Sequence, residues 1–204
     1  MRSIIRVAGI DPSLCNFGIA RMLLDRDTLE LKLERIRTIE TEPQRGSKKV
    51  VRQNSDDLRR AKLLHEAFQE ELKDCVIGFT EVPSGSQHSR SALGFGISIG
   101  ILASSPIELI EVMPVETKLA SVGSKTAEKP EIIAWAAERY PDAGWQRYEK
   151  DTKNKKGVIV NRAGDLHGDN EHAADACAVI HAGIRTPEFK HLLALWKATA
   201  TNSS

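Results

Sequence analysis

The chain has 204 residues, 29 Lys and Arg against 28 Asp and Glu, and a formal net charge of +1, which suits one domain that buries its own core and excludes a global basic excess as the source of any polyanion binding. Cys15, Cys75 and Cys177 are odd in number, far apart and set in apolar stretches without a CxxC pair, which excludes a cysteine zinc site or dithiol motif and predicts buried thiols in a reducing cytoplasm. The N-terminal MRSIIRVAGIDP is too short an apolar run for a signal peptide and no stretch approaches membrane-spanning length, so a cytoplasmic protein without membrane association is expected.

The first third predicts a meander of three strands, about Ile4 to Ile10, Phe17 to Leu24 and Leu29 to Thr38, joined by turns rich in Asp, Pro, Ser and Asn. In the third, Leu29, Leu31 and Leu33 alternate with Glu30, Lys32 and Glu34, as in an antiparallel outer strand with one wet face. A polar loop from about Glu40 to Gln53 carries Arg45, Lys48, Lys49 and Arg52. Asn54 or Ser55 then caps an amphipathic helix with the stripe Leu58, Ala61, Leu64, Phe68 and Leu72. CVIGFTEV predicts a buried parallel strand ending at Glu81, SALGFGISIGILAS an apolar helix, and IELIEVM the next strand.

A helix is expected from about Thr126 to Tyr140, with Thr126 as cap and Pro130 in its first turn. From Pro141 to Asn170 the chain is polar and rich in Lys and Arg, and reads as an irregular functional insertion. Two helices follow, about Glu171 to Ile184 and Pro187 to Thr199. The expectation is one domain over 1–198 with a basic insertion at about 141–170, then a flexible Thr/Asn/Ser tail over 199–204. Meander, strand, helix, strand is a mixed-sheet α/β pattern with strands one and four side by side.

That adjacency brings Asp11 and Glu81, each at a strand's carboxyl end, to the sheet edge where α/β proteins place their sites. His172 and Asp175, three apart on a helix, share a face, and the alanines around them permit a close approach to the sheet. Like charges at contact distance are costly unless neutralised, so a cluster of three carboxylates calls for hard divalent cations, Mg²⁺ or Mn²⁺. Two ions about 4 Å apart would activate water and stabilise the leaving oxygen of a phosphodiester. A histidine is a poorer Mg²⁺ ligand than an aspartate, so His172 favours tolerance of Mn²⁺ or an acid/base role.

The blocks VAGIDPSLCNFGIA, FTEVPSGSQHSRSALGFGISIGIL, VMPVETKLASVGSKTAEKPEII and EHAADACAVIHAG together resemble, in order and spacing, the RuvC family of Holliday-junction resolvases in the RNase H-like superfamily. The resemblance covers about half the chain and implies an RNase H-like α/β fold with a mixed five-stranded sheet. It also implies a homodimer, a divalent metal, and cleavage of branched DNA by symmetric nicking. By position, Asp11, Glu81, His172 and Asp175 match the family's acidic tetrad, catalytic and metal-ligating, and Lys118 matches a basic residue near the scissile phosphate. Ser84 stands where an aromatic commonly follows the catalytic glutamate, so base-wedging is not carried over to that position. The long insertion sets the chain apart from the cellular enzymes and suggests a phage- or mobile-element-type member, acting in the cytoplasm of a bacterial or infected cell.

Local charge supplies DNA contacts in Lys118, Lys125, Lys129, the Arg45–Arg52 loop, and the insertion's Arg147, Lys150, Lys153, Lys155, Lys156 and Arg162. Trp145 and Tyr148 are candidates to stack on exposed bases. Gly94, Gly96 and Gly100 in an apolar helix suit a closely packed partner helix across a dimer interface, with packing on the protein's own sheet as the alternative. The leading function is a structure-selective DNA endonuclease. Its alternatives are a nuclease on flap DNA or RNA/DNA hybrids and a non-catalytic branched-DNA-binding protein.

Overall fold

Alternation along the strands decides which side chains share a face. In the computed structural model, which describes residues 3–44 and 52–201, β1 (Ile4–Asp11), β2 (Asn16–Asp25) and β3 (Leu31–Glu40) form the antiparallel meander, β4 (Ile77–Thr80) runs parallel to β1, and β5 (Leu109–Glu111) runs parallel to β4. The sheet order is β3-β2-β1-β4-β5. Successive strand residues point to opposite faces, so Val7, Ala20, Met22, Ile77 and Phe79 enter one core while Ala8, Ile10, Phe17 and Ile19 enter the other. The second core is closed by α1 (Gln53–Leu72) and α2 (Ser89–Ala103). The first is closed by α3 (Pro114–Ser121), α4 (Lys129–Arg139), α5 (Glu171–Gly183) and α6 (Pro187–Thr201). This is the expected mixed-sheet α/β class with helices on both faces.

The packing of α5 on the sheet is exceptionally close, and glycine permits it. A Cβ on Gly9 would stand 2.0 Å from the Ala176 carbonyl oxygen, and one on Gly18 would stand 2.1 Å from that of His172. At the far end, a Cβ on Gly183 would meet the Phe79 ring at 2.0 Å. Ala173, Ala174, Ala176 and Ala178 of α5 are buried in the same layer. Small residues on both sides thus set the depth at which His172 and Asp175 sit.

Several expectations are corrected. The first turns of α1 bury Asp56, Asp57 and Arg60 rather than Leu58, which is exposed. The buried Asp57 carboxylate takes two hydrogen bonds from Arg90, each 2.5 Å, so ion pairing overrides the apolar stripe there. The helix α3 was not anticipated: only eight residues long, it starts with Pro114 at its first position, and Glu116 caps back to the Met113 N–H at 2.9 Å. Glu128, not Thr126, precedes the first turn of α4, where Glu131 caps back to its N–H at 2.7 Å.

The 141–170 segment is irregular over most of its length, as expected, but holds a small ribbon of β6 (Thr152–Lys153) and β7 (Ile159–Asn161) and a 3-10 turn at Gly168–Asn170. Trp145 is buried and donates from Nε1 to the Tyr140 carbonyl at 2.8 Å, and Tyr148 packs its ring on His167 at 4.3 Å, so Trp145 belongs to the core and not to a base-stacking surface. Cys75 and Cys177 are buried as expected, but Cys15 is exposed. The closing helix continues to Thr201, so 199–201 are helical; Arg45, Lys48 and Lys49 and residues 202–204 lie outside the described residues. Among the described residues no helix is long and apolar enough to cross a membrane.

Candidate active site

Strand parity places two carboxylates on one face. Asp11 follows Val7 and Gly9 on the α5 side of β1, and Glu81, directly after β4, continues the parity of Ile77 and Phe79. The parallel register pairs Ile10 with Thr80, so the next residue on each strand, Asp11 and Glu81, leaves the sheet at the same edge. Both line a cleft that also includes Ser84, Phe95, Glu111 and Met113. The first turns of α5 deliver His172 and Asp175 to this edge, and the His172 Nδ1 hydrogen-bonds the Asp11 Oδ2 at 2.6 Å.

The electrostatics describe an anionic, partly dry site. The Asp175 carboxyl is pushed up to about 7, first by burial and then by the charges of Asp11, Glu171 and Glu81. Burial also raises the Glu81 carboxyl, with Asp11 adding to it; Lys118 and the Thr117 hydroxyl, buried and without a partner at full hydrogen-bonding geometry, pull the other way. The hydrogen bond to Asp11 raises the His172 imidazole against the opposing effect of burial, with further help from the Asp11, Glu171 and Asp175 charges. Asp11 raises the proton affinity of both Glu81 and Asp175, and Glu81 and Glu171 raise that of Asp175, which is the mark of a negative cluster lacking full compensation.

Two lysines border the cluster. Lys129, at the start of α4, ion-pairs with Glu171 and is held charged by that contact and by the fields of Asp175 and Asp11. Lys118 of α3, half-buried, acts on Glu81. Lys125 stands exposed in the turn between α3 and α4. Lys150, Lys153, Lys155 and Lys156 are exposed on the inserted segment, whereas Arg147 donates to the Gly164 carbonyl at 2.7 Å and helps to hold that segment's base. Glu171 and Thr117 were missed from the sequence. Glu171 had a signal, since it lies four residues before Asp175 on one helix face; Thr117 had none.

The donor set fits hard divalent cations: three carboxylates offer oxygen ligands, and the raised Asp175 carboxyl shows how much a cation would relieve. In the present side-chain arrangement, with His172 bonded directly to Asp11, no group of three or more His, Cys, Asp or Glu among the described residues is placed to hold an ion.

No protein-family model and no curated protein matches the chain. Among solved structures it is similar to Thermus thermophilus RuvC in complex with a Holliday-junction substrate, with TM-score 0.58 and 18% identity over 87% of this chain and 92% of that one. A second Thermus thermophilus RuvC structure gives TM-score 0.52 and 19% identity over 87% and 92%. The chain therefore has the RuvC-type, RNase H-like fold that its sequence blocks implied.

Proposed function

We propose that the chain is a divalent-metal-dependent, structure-selective DNA endonuclease that nicks Holliday junctions or related branched DNA. The observation that carries this reading is the convergence of Asp11, Glu81, His172 and Asp175 at one edge of a RuvC-type sheet, against α5. Asp11, Glu81 and Asp175, with His172, would hold Mg²⁺ or Mn²⁺, two ions per site. Bound there, such ions supply an activated water and neutralise charge on the attacked phosphate. His172 orients Asp11 through their hydrogen bond, and as the alternative to ligating an ion it holds a proton there, that bond raising its proton affinity. Lys118 and Lys129 contribute positive charge at the same edge, and Lys125 and the inserted lysines extend the phosphate contacts outward.

The active form in this reading is a homodimer, which matches the pairwise symmetry of a four-way junction. Its support is α2: Leu93 and Ile99 are exposed, and the space where a Cβ of Gly96 or Gly100 would sit is open. These glycines do not serve packing on the protein's own sheet, and a second copy of the helix is the occupant we assign.

The test is cleavage of four-way junction, flap, linear duplex and RNA/DNA hybrid with Mg²⁺ and with Mn²⁺. Nicking confined to branched DNA, abolished in Asp11→Asn and Asp175→Asn while junction binding persists, is expected. Full activity in either variant would remove the proposed site, and preference for the hybrid would replace the substrate.

A further inference from the structure

The ribbon of β6 and β7 presents aliphatic side chains that the fold leaves uncovered. Val158, Ile159 and Val160 are 58%, 46% and 56% exposed, and because strand side chains alternate, both faces of the ribbon are apolar. The same stretch, residues 152–162, carries Lys153, Lys155, Lys156 and Arg162 and no acidic residue. So small a ribbon cannot be held by apolar burial. Its shape comes from polar bonds: the Asn154 Oδ1 accepts from the Lys156 and Val158 N–H groups at 2.9 and 3.1 Å. Gly157 takes the left-handed φ of +79 at the turn itself, and Asn161 Nδ2 donates to Thr152 Oγ1 at 2.9 Å. At the root, the buried Asn170 side chain bonds both ways with the Gln146 backbone, at 3.0 and 2.8 Å, two residues before His172.

We propose that this ribbon reads the branch point of the DNA substrate, its cations on the phosphates and Val158, Ile159 and Val160 against bases exposed where the duplex arms part. The inference rests on the proposed branched-DNA activity and assigns that activity a recognition element. Apolar side chains placed against opened base steps stabilise the unstacked state, and flanking Lys and Arg offset the phosphate charge. Charge also selects the occupant: pairing with the same ribbon of a second copy would set four cations against four, whereas nucleic acid complements them.

The experiment uses the full chain and a four-way junction with 2-aminopurine at the branch point, in EDTA to prevent cleavage. Binding is expected to raise the fluorescence as the base unstacks. Val158→Ser/Ile159→Ser/Val160→Ser should lose most of that rise and about ten-fold in junction affinity, with no more than about two-fold lost on linear duplex. Lys153→Ala/Lys155→Ala/Lys156→Ala should weaken both substrates and lower the salt slope by about 2 to 3. Replacing residues 152–162 with a Gly-Ser-Gly link gives the same test should the triple-serine protein fail to fold. Unchanged fluorescence and affinity, equal losses on linear duplex, or a changed oligomeric state in the triple-serine variant would overturn the proposal, the last assigning the ribbon to self-association. Nicking by the unmodified chain in Mg²⁺ is scored alongside: nicking with a silent fluorophore overturns the ribbon's role alone, and neither binding nor nicking removes both readings.

Discussion

The His172 Nδ1 meets the Asp11 Oδ2 at 2.6 Å across 161 residues of chain. The contact exists because two strands are stripped of side chains beneath α5. Gly18 is the cross-strand partner of Asp11, and the His172 carbonyl oxygen occupies the space in which a Gly18 Cβ would stand. The site's geometry is therefore set by a residue with no chemistry of its own.

Gly18→Ala should displace the first turn of α5. A Cβ there would be 2.1 Å from backbone, which cannot rotate away as a flexible side chain can. We expect a loss of roughly 1–3 kcal/mol in stability and a fall in nicking of about a hundred-fold, as small misplacements of reacting groups cost that much. Thermal melts and junction cleavage measured on the same preparation check this, and near-normal cleavage would show that α5 does not set the site.

Asp175→Asn should stabilise the metal-free protein while removing activity. The folded-state value is raised from 3.8 to about 7, so between those values the folded chain retains a proton that the unfolded chain releases. Stability therefore falls as pH rises through that window, and the full penalty, on the order of 4 kcal/mol, is present above it. Melting in EDTA at pH 8 should show the variant above the unmodified chain, with the gap closing towards pH 4. Mn²⁺ should raise the midpoint of the unmodified chain more at pH 8 than at pH 6; no metal effect at either pH would contradict the proposed ligand set.

Parity made much of this site legible in advance. Once β1 is a strand, Val7, Gly9 and Asp11 must share a face, and the same count along β4 carries Ile77, Phe79 and Glu81 to it. The spacing of His172 and Asp175 settled their common face in the same way. Elements whose order comes from polar bonds were not legible. The ribbon at 152–161 is held by Asn154, Asn161 and Asn170, and α3 by a proline and one capping glutamate. Neither leaves an apolar period to count. Trp145 read as a surface aromatic because its neighbours are polar, yet its indole closes the core at the end of α4.

Ile99→Glu should separate the proposed dimer. Ile99 and Leu93 lie on the outward side of α2 beside Gly96 and Gly100, so the substitution leaves the protomer's own packing intact and should change its stability by no more than about 0.5 kcal/mol. Sedimentation equilibrium should show the mass fall to that of one chain, with paired nicking of a junction becoming uncoupled. An unmodified chain already monomeric at micromolar concentration would count against the α2 interface.

His181 gives the fold an acid sensitivity separate from the site. It is buried, its Nε2 lies 2.7 Å from the Tyr140 hydroxyl, and the Trp135 ring stands edge-on at 5.0 Å. Burial lowers its value from 6.5 to about 4, with Arg139 and Arg185 adding to the effect. Tyr140, pushed up to about 12 by burial, stays a neutral hydroxyl and donates to the imidazole. Between about 6.5 and 4 the unfolded chain binds a proton that the folded chain refuses, so the stability from neutral His181 is complete above that window and is lost as pH falls through it. The loss should reach roughly 2–3 kcal/mol near the lower limit. His181→Phe, similar in size and without a titrating group, should flatten that part of the urea-denaturation profile at some cost in stability at pH 7, since the Tyr140 hydroxyl loses its imidazole acceptor and is left with the weaker Met22 sulfur at 3.4 Å. Profiles that remain parallel from pH 7 to 4 would place the acid sensitivity elsewhere.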